Sequence, residues 1–261
     1  MNLSLTGKHA LVCGGSRGIG FAAAKELAFL GAKVTILSRD VDSLLVAAEQ
    51  LDVTQKQGHH FLVADLSNPE SVRDLIGEFA KDNPVHILIN NAGGPRSGPL
   101  VEVEIQQLAH AFATHIMSSQ VITQVVLPGM KEAGYGRIIN IISTSVKQPI
   151  AGLGVSNTIR GAMANWAKTL AGEVGKDGIT VNNVLPGMTS TERLQELFKS
   201  MAERLHITPE EYAEQVKTTI PMGRFATPSE IANAIAFLAS PAASYITGTN
   251  IVVDGGRTGS L

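Results

Sequence analysis

Residues 13–20 read CGGSRGIG, and the chemistry open to Gly14, Gly18 and Gly20 at this spacing is the reception of a phosphate. Glycine removes side chains where a chain must turn sharply and where its backbone must approach a pyrophosphate, which then rests on the N–H groups that open a helix. A glycine trio by itself says little, because turns favour glycine anyway. Here the apolar run 8–13 leads straight into it and a helix-compatible stretch, 18–30, follows. That strand-to-helix setting gives the trio its meaning.

The elements that must hold such a turn repeat along the chain. Short apolar runs at 8–13, 32–38, 59–63, 85–90, 136–142, 178–184 and 249–253 alternate with amphipathic stretches at 18–30, 41–51, 69–81, 103–131, 152–174 and 228–240. Strand, helix, strand in this rhythm predicts an α/β fold, a parallel sheet of about seven strands covered on both faces, with a single domain, 1–261, favoured. Pro69 and Pro228 follow Asn68 and Thr227, where a first helical turn tolerates proline. The charged segment 188–226 lies between the last two strands. It is expected to be a substrate-lid insertion over the strand ends, with a plain connecting helix pair as the alternative.

Composition narrows the class. At 261 residues and 44% hydrophobic, the chain can bury a large core without metal or crosslinks. Its single cysteine, Cys13, excludes an internal disulfide framework, no Cys/His cluster suggests zinc, and a reducing compartment follows. A formal net charge of -2 with no basic block argues against nucleic acid as a partner. Neither a signal peptide nor an eighteen-residue apolar run is present, so a cytoplasmic protein with a small-molecule substrate and no membrane contact is expected.

CGGSRGIG, NNAG at 90–93, GRIINIIS at 136–143, LPG at 185–187 and ITGTNIVVDGG near the end together resemble the short-chain dehydrogenase/reductase family, its acyl-carrier reductase-like branch above all. The resemblance spans nearly the whole chain with the motifs in order, and it implies that the α/β fold is a single Rossmann-type domain with a doubly wound parallel sheet. It implies a nicotinamide dinucleotide held by Gly14, Ser16, Arg17, Gly18, Ile19 and Gly20 of the turn. It also implies contacts from Ser38 and Arg39, from Asp65 and Leu66, from Asn91, Ala92 and Gly93, and from Pro186, Gly187 and Thr189. Asp65 matches the position that accepts from the adenine amino group, and Asn91 the position beside the adenosine ribose. Each could instead cap local backbone. An acidic residue at the end of the second strand would repel a 2′-phosphate, whereas Arg39 and Arg17 would pair with one, so NADP(H) is the expected cofactor. Asp40 could turn to a ribose hydroxyl, and Arg39 could be a solvated loop residue.

At the reaction end the pattern breaks. The family's serine matches Ser143, but its tyrosine, thirteen residues on, matches Ser156, and its lysine, four residues further, matches Arg160. Its helix asparagine matches His115. Arg160 can still bond ribose hydroxyls and supply a positive field, yet it does not readily pass a proton. His115 acting through water, or Lys147 reaching over the nicotinamide, would be imported acids; a histidine bonding a backbone carbonyl and a solvated lysine are the plainer alternatives. The expected function is an NADP(H)-dependent oxidoreductase acting on a carbonyl or related group, with Ser143, Ser156, Arg160 and His115 at the reacting centre and a non-standard proton donor. The alternative is a non-catalytic NADP(H)-binding protein with a structural or sensing role. The long stretches 103–131 and 152–174, the second with Gly161, Ala164 and Ala167 beside Trp166 and Leu170, imply a homodimer or homotetramer.

Overall fold

The computed structural model describes residues 1–260. Seven parallel strands, β1 His9–Cys13, β2 Lys33–Ser38, β3 His60–Val63, β4 Ile87–Asn90, β5 Gly136–Ile141, β6 Ile179–Pro186 and β7 Asn250–Val253, form one sheet ordered β3-β2-β1-β4-β5-β6-β7. Their composition explains the arrangement. Alternating polar and apolar residues would suit a sheet with one wet face, but β1 reads HALVC and β4 ILIN, buried at every position. Such strands need helices on both faces.

Those helices are α1 Gly18–Phe29, α2 Val41–Glu49 and α9 Pro228–Ala239 on one side, and α3 Pro69–Asp82, α5 Ser118–Glu132 and α6 Gly154–Val174 on the other. Leu27, Ile36, Leu44 and Ile235 centre one core; Leu88, Ile122, Met130 and Val181 centre the other. The helix starts follow local chemistry. Asn68 caps α3 through the Ser71 N–H, and Thr227 and Glu230 form a capping box at α9.

One expected helix is not continuous. Residues 103–131 divide into α4 Ile105–Phe112, a π-helical turn Ala113–Met117 and α5, preceded by a 3-10 turn at Leu100–Glu102. The π turn buries His115 and Ile116, and just beyond it Ser118 Oγ donates to the Leu66 carbonyl at 2.7 Å and Ser119 Oγ to the His115 carbonyl at 2.7 Å. Apolar periodicity does not register a single inserted residue, so the sequence carries no sign of it.

The segment 188–226 forms α7 Glu192–Leu205 and α8 Pro209–Lys217, which pack on each other through Leu194, Phe198, Val216 and Tyr212. Thr191 caps α7, and Thr208 with Glu211 boxes the start of α8. Parallel pairing of Thr189 with Ala226 ties both ends of the segment together.

The opposite end of the sheet holds a cluster of histidines. His9 Nδ1 lies 3.1 Å from the Pro84 carbonyl, which can only accept, so the ring proton sits there and Nε2 accepts from Thr35 Oγ1 at 2.8 Å. Burial and then Lys33 lower the His9 pKa to about 4, and burial lowers those of His60 and His86 as well. A histidine depressed in the folded state binds fewer protons than in the unfolded chain. The stability it contributes is therefore present above the unfolded value, near 6.5, and is lost as the pH falls toward 4. At roughly 1.4 kcal/mol per pH unit, His9 alone accounts for about 3 kcal/mol. Urea midpoints should fall between pH 7 and pH 4.5, and His9→Asn should flatten much of that dependence.

Candidate active site

The strand order reverses between β1 and β4, and the crevice outside the carboxyl ends of the strands opens there. It is a cleft of about 1660 Å³, larger than a site for one drug-sized ligand. The glycine turn forms one wall. Gly14 and Gly18 both have φ of +57°, the left-handed region. Gly20 serves differently: a Cβ there would land on the Gly14 carbonyl oxygen and 2.6 Å from Asn91 Nδ2, so glycine is what lets α1 close onto the turn. Asn91 Nδ2 holds the same turn, donating to the Cys13 and Gly14 carbonyls at 3.3 and 3.2 Å. Asn91 thus binds backbone of the distant glycine turn rather than capping its own.

Of the residues expected to hold a dinucleotide, Gly14, Ser16, Arg17, Gly18, Ile19, Ser38, Arg39, Asp65, Leu66, Asn91, Ala92, Gly93, Arg160, Pro186 and Gly187 line the cleft. Gly20 lies behind the wall for the packing reason just given. Thr189 is also absent from the wall: it is buried, and its Oγ1 donates to the Gly187 carbonyl at 3.2 Å, leaving Ser190 and Thr191 to line the cleft. Asp40 is settled by local chemistry. Its Oδ1 accepts from the Asp42 and Ser43 N–H groups and its Oδ2 from Ser43 Oγ, so the carboxylate is consumed as the cap of α2. Arg39 stands 3.7 Å from Asp65 Oδ2, and Arg17 3.3 Å from Glu192 Oε2. Both ion pairs are well exposed, a setting in which such pairs are worth little and exchange readily for a stronger anion.

The reacting end is assembled from three elements. Ser143 lies two residues beyond β5 and caps the 3-10 turn Thr144–Val146, where its Oγ accepts from Ser145 N–H at 3.1 Å and keeps its own proton free to donate. Ser156 and Arg160 sit one turn apart on α6, so both face the cleft. Asn157 fixes the start of that helix by a pair of bonds to the backbone of Ile150. Arg160 is 8% exposed; its Nη1 donates to the Ile141 carbonyl at 3.0 Å and stands 3.4 Å from His115 Nδ1. Burial lowers its pKa to about 10, which leaves it charged at neutral pH.

His115 arrives on the π turn and is 5% exposed. Because a guanidinium can only donate, Nδ1 must be the acceptor and the ring proton belongs on Nε2. Burial first, and then the charge of Arg160, hold its pKa well below the ordinary value; the Gly93 carbonyl opposes them. The plainer expectation for His115, a ring engaged with a backbone carbonyl, matches this geometry better than a proton donor does. Lys147, just beyond the turn Thr144–Val146, is not among the residues that wall the cleft.

A supporting row was not anticipated. Asn90, Asn140, Asn183 and Asn250, one on each of β4 to β7, form a ladder in which each Nδ2 donates to the next Oδ1 at 2.8 to 2.9 Å. The ladder runs through the sheet directly beneath the site. Its first member, Asn90, leaves Oδ1 without a partner beside a void of about 20 Å³ shared with His115, Ser119 and Arg160. That volume suits one water molecule.

A doubly wound sheet with a glycine turn and a cleft at its switch point defines a dinucleotide-binding α/β protein. Comparison with known proteins carries this further. The family model described as enoyl-(acyl carrier protein) reductase matches residues 14–258. Gluconate 5-dehydrogenase of Gluconobacter oxydans is 34% identical over 259 residues, covering 99% of this chain and 97% of its own. The 3-oxoacyl-[acyl-carrier-protein] reductase of Pseudomonas aeruginosa is 36% identical over 256 residues, 97% and 98% of the two chains. The structure of L-sorbose reductase from Gluconobacter frateurii, complexed with NADPH and L-sorbose, superposes with a TM-score of 0.91 at 32% identity over 100% of both chains. The chain belongs to the short-chain dehydrogenase/reductase family.

Among the described residues, no helix is long and apolar enough to cross a membrane, and no group of histidine, cysteine, aspartate and glutamate could hold a metal ion.

Proposed function

We propose that this protein is an NADP(H)-dependent oxidoreductase that reduces a carbonyl or related group of a small molecule without a tyrosine acid. The observation that carries the cofactor choice is the charge at the end of β2. Arg17 and Arg39 line the cleft in weak, exposed ion pairs, while the one carboxylate that could select an unphosphorylated ribose, Asp40, is spent on a helix cap. The Gly14–Gly20 turn offers the closeness a pyrophosphate needs. NADPH supplies the hydride.

The chain's own residues supply the rest. Ser143 and Ser156 direct hydroxyl donors at a carbonyl oxygen on which negative charge develops, and Arg160 adds a fixed positive field from below. His115 and the Ile141 carbonyl position Arg160. With His115 held neutral and Arg160 held charged, no side chain of this set titrates near neutrality, and the proton reaches the product from solvent. Consequently kcat/KM should show no limb between ~6 and ~9, the interval in which a tuned general acid would titrate. A bell with an arm inside that interval would reveal a donor elsewhere. Turnover on ordinary neutral ketones should be slow.

The direct test is NADPH oxidation with a broad carbonyl panel, alongside calorimetric titration with NADPH and NADH. Tight uptake of NADPH, weaker uptake of NADH and slow oxidation support the reading. Tight uptake with no oxidation above blank favours the second reading, a dinucleotide-binding protein with a structural or sensing role, which the absence of a titrating donor at the site makes concrete. The segment 188–226 acts as the lid in either case: Glu192 clasps Arg17, and Arg193 Nη2 donates to the Pro95 carbonyl at 2.8 Å across the cleft. A homodimer or homotetramer would cover Ile105 and Phe112, exposed two turns apart on α4, and light scattering checks that. A cytoplasmic location fits the free, buried Cys13.

A further inference from the structure

Arg160 is a buried cation that no anion among the described residues neutralises. Its bonds go to the Ile141 carbonyl and to the His115 ring, both neutral, and among the described residues no carboxylate approaches it. The acids lining the same cleft stand elsewhere: Glu26 on α1, Asp40 and Asp65 at the end of β2 and beyond β3, Glu192 and Glu196 on α7 in contact with Arg17 and Arg193, and Glu102 on the outer 3-10 turn. Side chains near the guanidinium are neutral, the hydroxyls of Ser143 and Ser156 on the cleft side and the Asn90 amide across the small void, so none of them balances its charge. Nη1 alone is used among the described residues, so the Nε and Nη2 edge, the flat fork that matches a carboxylate, has no partner among them.

The dinucleotide does not supply the missing charge. Its phosphates belong at the glycine turn and at Arg17 and Arg39, and the ribose hydroxyls it would offer Arg160 are neutral. Its ring is neutral when reduced and positive when oxidised. Each turn of a reduction therefore adds a second positive charge near a guanidinium that already lacks a counter-ion. Only the second ligand can correct this, and the space for its acid group exists because position 156 carries a serine, leaving the cleft open in front of Arg160.

Building on the reading of the cleft as a carbonyl-reducing site, we infer that the substrate is a keto acid: a carbonyl compound whose carboxylate docks on the Nε/Nη2 edge of Arg160 while its carbonyl oxygen meets Ser143 and Ser156. A dry guanidinium–carboxylate pair is both strong and directional, and it fixes the carbonyl in place of the contact a tyrosine would make. The chemistry needs nothing further: hydride adds to the carbonyl carbon, the oxygen takes a proton from water, and the product is the hydroxy acid.

The test compares acids with their own methyl esters, which differ in charge and little else. Pyruvate, acetoacetate and levulinate, each beside its methyl ester, are titrated calorimetrically into the wild-type protein, with and without saturating NADPH. At least one acid is expected to bind about tenfold or more tightly than its ester. That preference should vanish in Arg160→Gln and shrink in Arg160→Lys, which keeps the charge but loses the fork. Equal binding of acid and ester overturns the inference, as does an acid preference that survives in Arg160→Gln or a panel in which no acid binds. The titration without NADPH keeps it separable from the cofactor reading. Failure of NADPH uptake by the wild type removes the reductase, whereas ester and acid binding alike to an NADPH-loaded protein removes only the keto acid.

Discussion

Gly20→Ala should abolish useful NADPH binding, weakening it by ~100-fold or more and lowering stability by about 1–3 kcal/mol, the range for forcing an extra methyl into a packed site. The added carbon has nowhere to go. It would strike the backbone carbonyl of Gly14 and approach Asn91 Nδ2 to 2.6 Å, and neither is the free end of a flexible side chain. Relief requires α1 to move off the turn or Asn91 to release the Cys13 and Gly14 carbonyls, and either shift spoils the cradle. Gly18→Ala gives the comparison that isolates this cause. Gly18 has the same positive φ as Gly14, but the nearest atom to its added Cβ would be Thr191 Cγ2 at 3.5 Å, ordinary contact. Its cost should be the ~1 kcal/mol of left-handed strain, with binding reduced far less. Calorimetric titration and urea unfolding of both variants decide the matter. Equal losses in the two would show that backbone conformation, rather than close packing, governs the turn.

The two glycines also show why the nucleotide end was legible in the sequence and the reaction end only partly so. A phosphate cradle is local: eight consecutive residues between a strand and a helix contain the whole device, and their types announce it. The sheet is nearly as legible, since buried parallel strands are continuous apolar runs, and all seven strands formed within two residues of the expected bounds. The asparagine ladder has no local signature. Asn90, Asn140, Asn183 and Asn250 become neighbours only through the register of four strands, and each alone resembles a polar residue at a strand end. The π turn escaped for another reason: one extra residue in a helix changes where His115 points without disturbing the apolar period on either side. Asp40 was ambiguous because the choice between ribose and helix cap depends on where β2 stops, and β2 stops at Ser38, early enough for Asp40 to cap α2.

Introducing a tyrosine and a lysine together, Ser156→Tyr with Arg160→Lys, should raise kcat/KM for neutral ketones by ~100-fold, the lower end of what a positioned general acid contributes. The structure provides what such a graft needs. Position 156 faces open cleft, so a phenol can enter without displacing core; position 160 lies one helical turn on, where an ammonium can lower the phenol's pKa; and Ser143 already waits just beyond β5. The single changes should gain much less. A tyrosine beside the committed guanidinium of Arg160 has a neighbour whose Nη1 is tied to Ile141, and a lysine without the phenol has no acid to tune. Stability should scarcely change for Ser156→Tyr, because nothing buried is removed. Steady-state NADPH oxidation with a neutral ketone measures the gain, and the same preparation assayed with keto acids should lose ground, since the fork of Arg160 has gone and the space before it is filled. A double variant no faster than wild type on neutral ketones, while still binding NADPH, would mean that the missing phenol is not what limits this site. The remaining constraint would then be His115, whose buried ring stands against position 160 and would stay in place beside the new lysine.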